Sequence, residues 1–339
     1  MGSVSGQTVD TMRLRTCILT LLAVATLAFA GLASAAAAPP KLTEDNAKLV
    51  LSNDQVQVWF QGKKPTLRVL PAAAMDENAT GAFTYKFVDV VEYRDLDGNG
   101  APSQGEVVAS LNLDRADGWK VEKTQTDGAV VLNLSLNDSV KLAKADLPKP
   151  PVDLPVDQVA QVGLVFTLRG DDATIAAAPV VNLTVKATSI KYDFLVAKWP
   201  FVDAANDRLA LETMVTGVAK DANLTGVDQA AVATTNGTAL GALSWTTTAQ
   251  GTTAAGAPVP VPVRAALASA DAGQTSLAFT YDAPGLVTLA HDPTVGLAPA
   301  AVQSTGGVAG SGILKPSPAP ELALAVGVAG LAALVLRKR

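Results

Sequence analysis

The sequence predicts an all-β protein, built as one large or two consecutive antiparallel β-sandwich domains, with an N-terminal signal helix and a C-terminal transmembrane helix. Three observations support the β-fold. Short segments alternate apolar and polar residues with a period of two, as strands with one buried face do. Asp-Gly and Asn-Gly turn signals separate these segments. No amphipathic helix of about 10–15 residues lies between them, which favours a sandwich.

The alternation is clearest in two segments. In 83–93, Phe83, Tyr85 and Phe87 share one face, and in 130–136 the apolar residues do the same. The same pattern, or a short β-favouring run, marks the other predicted strands. The predicted strands are 56–60, 66–70, 83–93, 130–136, 162–168, 181–185, 190–196, 209–215 and 277–281.

Two ranges, 45–145 and 158–300, carry these strands. Between them, 146–157 holds four prolines, which central strands exclude. This segment is either a boundary between two sandwiches or a long crossover inside one. A second stretch, 226–260, is rich in Ala, Thr and Gly and gives little strand signal.

Composition excludes several classes of protein. Acidic residues outnumber basic ones 31 to 26, giving a net charge of −5, so we expect no nucleic-acid partner. One His and one Cys exclude a Cys/His zinc site and a disulfide framework. The chain has no G-x-S-x-G, H-E-x-x-H, phosphate-loop or Rossmann signature. We therefore expect a protein that is not an enzyme.

The N-terminal residues 1–35 predict a signal peptide. Arg13 and Arg15 precede an uncharged run, 17–31, and Ala33-Ser34-Ala35 offers small residues for cleavage. Met12 is an alternative start. The other interpretation of the segment is an uncleaved membrane anchor.

The C-terminal end predicts a linker and a membrane segment. Residues 301–320 are rich in Gly, Ser and Pro, which is typical of a spacer. In 321–339, the apolar run 322–336 would span roughly 22 Å as a helix, less than the ~30 Å hydrocarbon core. Snorkelling basic residues at 337–339 can supply part of the difference. Their charge should stay in the cytoplasm, which places the preceding chain outside the cell.

This tail resembles a family of sorting signals. Pro318-Ala319-Pro320-Glu321, followed by LALAVGVAGLAALVL and RKR, is similar to the tripartite tails of PEP-CTERM proteins and their archaeal counterparts. The resemblance implies an exosortase- or archaeosortase-type sorting protease as partner and transfer to a surface anchor. The order Pro-Ala-Pro-Glu departs from Pro-Glu-Pro, and the alternative is a plain membrane anchor. Both interpretations place an exported protein at the cell surface.

Glycosylation is a further expectation. The segments VVEYRDLDGNG, KYDFLVAKWPF and LAHDPTVG are also similar to pieces of archaeal surface domains, and N-glycosylation would favour an archaeal source. The chain has more N-x-[ST] sequons than its composition gives by chance, although Thr-rich composition is the alternative explanation. The sequon residues are Asn78, Asn133, Asn137, Asn182, Asn223 and Asn236.

One motif carries chemistry. Residues 95–106, DLDGNGAPSQGE, fit the 12-residue calcium-loop spacing D-x-[DN]-x-[DN]-G-x5-E at every fixed position. Ca²⁺ binds six to eight hard oxygen ligands, and a tight turn at the sixth position lets such ligands converge. The candidate ligands are Asp95, Asp97, Asn99, the Ala101 carbonyl, Ser103 and Glu106.

The loop resembles an EF-hand with two departures. The eighth position is Pro102, and the flanking segments predict strands where an EF-hand has helices. We therefore expect a structural Ca²⁺ loop that joins two strands. The alternative is an Asp/Asn/Gly-rich hairpin without an ion.

Two weaker candidates complete the set. His291 with Asp292 can form a base and an orienting carboxylate, or His291 is structural. The four tryptophans form a glycan platform or fill the core; they are Trp59, Trp119, Trp199 and Trp245.

We predict a cell-surface or envelope protein with a role in adhesion or envelope structure and a glycan or surface-protein partner. The alternative is a surface carbohydrate-binding module or carbohydrate-active enzyme.

Overall fold

The computed structural model describes residues 38–298, with gaps at 46–47, 63, 77–78, 80, 104, 127, 143–157, 178–180, 218, 235–238, 255 and 272–273. The predicted signal peptide, the linker 301–320 and the segment 321–339 lie outside the described residues, as does the proline-rich 146–157. Within the described part of the chain, no helix has the length and apolar character needed to cross a membrane.

The described chain is all-β, as the sequence predicts, and every strand pairing is antiparallel. All nine predicted strands are present, and each begins and ends within three residues of its predicted bounds. The strands are β1 Lys41–Asp45, β2 Lys48–Ser52, β3 Val56–Gln61, β4 Thr66–Pro71, β5 Phe83–Tyr93, β6 Val107–Asn112, β7 Lys120–Gln125, β8 Ala129–Ser139, β9 Lys141–Leu142, β10 Val159–Arg169, β11 Ala173–Ala177, β12 Val181–Val185, β13 Ser189–Ala197, β14 Arg208–Gly217, β15 Ala219–Leu224, β16 Gln229–Thr234, β17 Ala239–Ser244, β18 Thr248–Thr252, β19 Pro258–Asp271, β20 Gln274–Tyr281, β21 Thr288–His291 and β22 Thr294–Leu297.

The hydrogen-bonded network has two halves, which we call the first and second layers. The first layer runs β1–β2–β3–β4–β5–β14–β20–β19, and β6 lies beside the second half of β5. The second layer runs β7–β8–β10–β13, continues to β21 and β22, and reaches β15 through β17 and β16. The long strand β19 pairs with β18 of the second layer and β20 of the first, so it joins the two layers.

Among the described residues, one large core lies between the layers, and Val91, Tyr93 and Ala210 form a separate small cluster. Alternate residues of β8 and β10 are buried, so each strand turns one face inward. Aromatic rings from both layers meet there: Phe60 contacts Phe166 with centroids 4.9 Å apart, and Phe87 contacts Tyr192 at 4.9 Å. The hydroxyls of Tyr85 and Tyr192 hydrogen-bond at 2.8 Å. Both 45–145 and 158–300 supply strands to each layer and residues to this core.

The pairing of β5 with β14 positions the candidate site. Tyr93, the last residue of β5, lies opposite Arg208, the first residue of β14. A register irregularity at Glu92/Tyr93 in the β5–β6 pair leaves Glu92 and Tyr93 both buried. The loop that follows Tyr93 therefore begins beside side chains from β14 that are far away in sequence.

Candidate metal centre

The predicted ion loop connects β5 to β6, so strands flank it as the sequence predicts. The Arg94 N–H donates to the Glu106 carbonyl at 3.0 Å and closes the loop at its base. Gly98 and Gly100 adopt φ values of 74° and 76°, a region that glycine reaches without strain. These turns fold the loop back so that its first and last residues meet.

Three carboxylates converge in this loop. Asp95, Asp97 and Glu106 each place a carboxylate oxygen within 4.8 Å of the other two. Asp97 is exposed, the Glu106 residue is 4% exposed, and the Asp95 side chain is 9% exposed. Carboxylate oxygens suit hard cations such as Ca²⁺, Mg²⁺ and Mn²⁺. The cluster can hold such a metal ion, and the residues alone do not identify which one.

Glu106 organises the loop. Its Oε1 accepts hydrogen bonds from the N–H groups of Leu96 and Asp97, at 2.7 and 3.2 Å. Its Oε2 accepts from the Ser103 Oγ at 2.7 Å and the Ser103 N–H at 3.1 Å. Burial opposes ionisation, but these four hydrogen bonds outweigh it and lower the pKa of Glu106 below its usual value. The carboxylate is therefore ionised, and a metal ion would share it with the loop's own donors.

Asp95 has one satisfied oxygen and one that lacks a partner. Its Oδ2 accepts a hydrogen bond from Arg208 Nη1 at 2.9 Å. Its Oδ1 is buried and has no hydrogen-bond partner. Buried polar atoms in folded proteins almost always have a hydrogen-bond partner, so we expect a cation or a water to bind this oxygen.

The other predicted ligands lie close to the carboxylates. The Asn99 Nδ2 donates to Asp97 Oδ2 at 2.8 Å, and the Asn99 Oδ1 accepts from the Ala101 N–H at 2.6 Å. Ser103 contacts Glu106, as described above. In this conformation the polar side chains of Asn99 and Ser103 bond within the loop, so ligating an ion would require them to exchange these partners.

A polar cavity of about 220 Å³ adjoins the loop. Arg208 lies in it between two acids, because its Nε also pairs with Asp282 Oδ1 at 2.8 Å. The Tyr93 hydroxyl donates to the Gly100 carbonyl at 3.3 Å at the same place. Sequence reasoning missed Arg208 and Asp282, since the motif covers only 95–106 and strand register alone brings these residues to it.

A pair of buried carboxyl groups lies near Arg94. Glu92 and Asp207 are both 0% exposed and lie close enough for their charges to interact. Burial raises the pKa of Glu92 to about 8, and the Asp207 carboxylate adds to the shift, although hydrogen bonds from Trp199 and Val202 oppose it. Arg94 Nε contacts Asp207 Oδ1 at 2.7 Å. Neither acid stood out in the sequence.

The sequons fall on different parts of the structure. Asn133 and Asn137 both lie on the outward face of β8. Asn137 is exposed, and Asn133 is partly exposed, with its Nδ2 3.4 Å from Glu122 Oε2. Asn182 lies in β12 and Asn223 in β15. Asn78 and Asn236 lie outside the described residues.

His291 occupies a structural position. It is 1% exposed, its Nδ1 lies 3.1 Å from the Tyr281 hydroxyl, and its Nε2 lies 3.0 Å from the Thr246 carbonyl. Burial lowers the pKa of His291 to about 4 despite the Thr246 bond. The ring is therefore neutral at neutral pH, and Asp292 contacts Lys191 at 3.0 Å.

Three of the four tryptophans are buried. Trp119, Trp199 and Trp245 are at most 6% exposed. Lys48 Nζ lies 3.9 Å from the ring centroid of the partly exposed Trp59. The described tryptophans therefore do not form an exposed platform.

The chain matches no model of a protein family, and a comparison with curated proteins found no similar sequence.

Proposed function

We propose that this chain is an exported, non-enzymatic protein of the cell surface or envelope, whose β-structure is stabilised by Ca²⁺ in loop 95–106. The observation that carries the metal proposal is the meeting of three carboxylates, one of them with a buried oxygen that lacks a partner. The loop spacing favours Ca²⁺, because six candidate oxygen donors lie at the positions that a 12-residue calcium loop uses.

The proposed role of the ion is structural. Three converging negative charges oppose the closed loop, and a divalent cation would offset most of that repulsion. An ion that binds only the folded state raises stability by about 2.7 kcal/mol when its concentration is 100-fold above Kd. The ion would fix the β5–β6 hairpin at the end of β5, where Arg208 and Tyr93 also contact the loop.

The surface setting is supported by the sequence. A signal peptide at 1–35, the linker 301–320 and a membrane helix or sorting tail at 321–339 together describe an exported, anchored protein. Its partners would be the membrane through that helix, a sorting protease if the tail is processed, and a glycan or surface protein. The exposed Asn137 supports glycosylation.

Two layers around one core favour a single sandwich over two consecutive ones.

Thermal melting tests the metal. We expect Ca²⁺ to raise the Tm of the metal-free protein by several degrees and Asp97→Ala to abolish the increase. Asp97 is the exposed ligand, so its removal should leave the fold intact. Asp54→Ala is the matched control, because it removes one exposed acid at a position outside the loop.

Each melting outcome has a clear meaning. A Tm increase with Ca²⁺ in wild type and in Asp54→Ala, but not in Asp97→Ala, supports the proposed site. Equal Tm with Ca²⁺ and with a chelator refutes it. A response to Mg²⁺ but not Ca²⁺ would keep the site and replace the ion.

The surface setting has its own test. Intact-mass measurement of protein from native cells reports signal cleavage, tail processing and glycans together. We expect the mature chain to begin near residue 36 and to fractionate with the envelope. Full-length, unmodified protein in the cytosol would refute export while leaving the metal proposal untouched.

The alternative, a carbohydrate-binding or carbohydrate-active protein, gains no support from the described residues. Three of the four tryptophans are buried, so these three are not placed to contact a sugar. The described histidine has both ring nitrogens engaged inside the structure.

A further inference from the structure

Lys191 lies in an unusual position on β13. It pairs with Thr294 of β22 on one side and Thr167 of β10 on the other. Its side chain is only 7% exposed, and its Nζ contacts two carboxylates, Asp193 Oδ1 and, at 3.0 Å, Asp292 Oδ1.

The other lysines in described ion pairs differ from it in both respects. Lys86, Lys123 and Lys186 each pair with one acid, and their side chains are 29%, 33% and 62% exposed. Water can solvate those charges, and little is gained or lost when such exposed pairs form. At Lys191 the ammonium is shielded from water, while the side chains of Asp193 and Asp292 are 26% and 16% exposed, so the cost of keeping the lysine charged is higher than at the other pairs.

The backbone holds Asp292 in place over Lys191. The Tyr192 N–H donates to the Pro293 carbonyl at 2.9 Å, which fixes the bend between β21 and β22 against β13. The strand register places Phe194 of β13 opposite His291 in β21 and Lys191 opposite Thr294 in β22. The backbone therefore holds the Lys191 Nζ 3.0 Å from Asp292 Oδ1, a hydrogen-bond distance that places the amine next to the carboxyl carbon bonded to that oxygen.

We propose that Lys191 and Asp292 condense to form an intramolecular isopeptide bond, with Asp193 relaying a proton. The three groups supply what the reaction needs: an amine nucleophile, a carboxyl electrophile, and a second carboxylate that contacts the amine. The cross-link is a modification site of the fold itself and does not depend on the metal loop.

The reaction balances without any added reagent. The ammonium of Lys191 gives one proton to the Asp292 oxygen that it contacts, and the neutral Nζ attacks Cγ of the resulting carboxylic acid, forming the C–N bond. Asp193 takes the second proton from Nζ and passes it to the leaving oxygen of Asp292. One oxygen of Asp292 then leaves as water, carrying the two hydrogens that Nζ loses. Asp193 returns to its ionised form. An ammonium and a carboxylate are thereby replaced by one neutral amide and one water.

Burial favours this outcome. A neutral amide loses less solvation at this partly buried site than the two charges that it replaces. Fixed placement of the two groups gives the high effective concentration that makes the intramolecular reaction feasible. The bond would tie the short strands β21 and β22 to β13, so that they could not separate from the second layer.

Peptide mapping of the full chain, purified without reduction or crosslinkers, tests the proposal. We expect tandem mass spectrometry to find one branched peptide in which Lys191 is joined to Asp292, lighter than the two separate peptides by one water. The exposed pair of Lys186 and Asp172 is an internal control, because it has the same chemistry at 2.9 Å but remains solvated. Its peptides should be recovered free.

Two variants separate chemistry from folding. Lys191→Arg keeps a cation between the two acids but supplies a poor nucleophile, and it should carry no cross-link. Asp193→Asn keeps both reacting groups and removes the proton relay, so the branched peptide should fall at least tenfold. Circular dichroism of each variant reports whether the fold is retained.

The wild-type result alone decides the proposal. Recovery of unlinked Lys191 and Asp292 peptides from folded wild-type protein would overturn it, as would a water loss mapped to any other pair. A branched peptide that persists undiminished in folded Asp193→Asn would remove the assigned role of Asp193.

Discussion

Glu92 and Asp207 show how two acids can share one buried place. Both side chains are inaccessible to solvent, and Arg94 supplies the positive charge against them. The pair also receives hydrogen bonds from Trp199 Nε1 at 2.9 Å and the Val202 N–H at 2.6 Å. Ionising both acids would leave two negative charges facing one positive charge, so a proton held by Glu92 stabilises the segment between β13 and β14.

This proton makes stability depend on pH. The pKa of Glu92 is about 8 in the folded protein and 4.5 in its ordinary state, so its contribution is present at low pH and is lost as pH rises through 8. His291 acts in the opposite sense, because its pKa falls from 6.5 to about 4 and its contribution is lost as pH falls. The two effects oppose each other between about pH 4.5 and 6.5, so the loss should appear mainly between about pH 6.5 and 8.

Glu92→Gln tests this interpretation. The amide is neutral, as the protonated acid is, but it does not titrate. We expect the variant to lose less stability than wild type between about pH 6.5 and 8. Urea unfolding across that range measures the difference. Parallel curves for wild type and variant would show that Glu92 keeps its ordinary pKa.

At the same scale, sequence motifs reached only part of the site. Asp95, Asp97 and Glu106 converge because a 12-residue loop with glycines at 98 and 100 allows few other closures. Asp282 joins the site through the pairing of β14 with β20, whereas Arg208 and the Glu92–Asp207 pair join it through the pairing of β5 with β14. No local pattern encodes that register, since the paired residues are more than a hundred positions apart.

Among the secondary-structure elements, strands with one buried and one solvent-exposed face were the easiest to predict. β5 and β8 alternate in the sequence because they alternate in burial. β22 is buried at all four positions, so its sequence, TVGL, shows no alternation. The strands β15 to β18 fall largely in the Ala-, Thr- and Gly-rich stretch, whose small side chains give a weak hydrophobic signal.

Prolines concealed the first part of β19. Pro258, Pro260 and Pro262 pair with β18, and β20 begins to pair only at Val263. The Val263 N–H donates to the Thr247 carbonyl at 2.9 Å, on the β18 side. Backbone N–H groups alternate in direction along a strand, so the nitrogens of these prolines point away from β18. The missing N–H groups cost no hydrogen bond there, because β20 does not pair with this part of β19.

Close backbone contact in the second layer gives an element-scale prediction. A Cβ on Gly296 of β22 would lie 2.5 Å from Ser189 Cα and from the Thr188 carbonyl oxygen. Because backbone cannot move aside easily, Gly296→Ala should lower the free energy of unfolding by roughly 1–3 kcal/mol or more. Denaturant unfolding measures the change.

Gly128→Ala is the control for that substitution. Its new Cβ would come no nearer than 3.9 Å, to the flexible end of Arg169. We expect a change within about 0.5 kcal/mol. Equal effects at the two positions would mean that β22 does not lie as close to β13 as described.

For the whole molecule, the shared core predicts one cooperative transition. Phe166 contacts Phe60 and Phe87 across the layers and is 0% exposed. Phe166→Ala should therefore cost about 3–5 kcal/mol. Tryptophan fluorescence and far-UV circular dichroism should shift together, because both ranges, 45–145 and 158–300, depend on this core. Two separate transitions, with only one affected, would indicate independent domains.

The position of β21 and β22 also has a consequence for the order of assembly. These last described strands fill the space between β13 on one side and β17 and β18 on the other. The neighbours on both flanks are made earlier, yet their facing edges stay unsatisfied until residue 297 is available. A nascent chain would therefore expose two open edges, and any shortened version ending before that residue should aggregate through them.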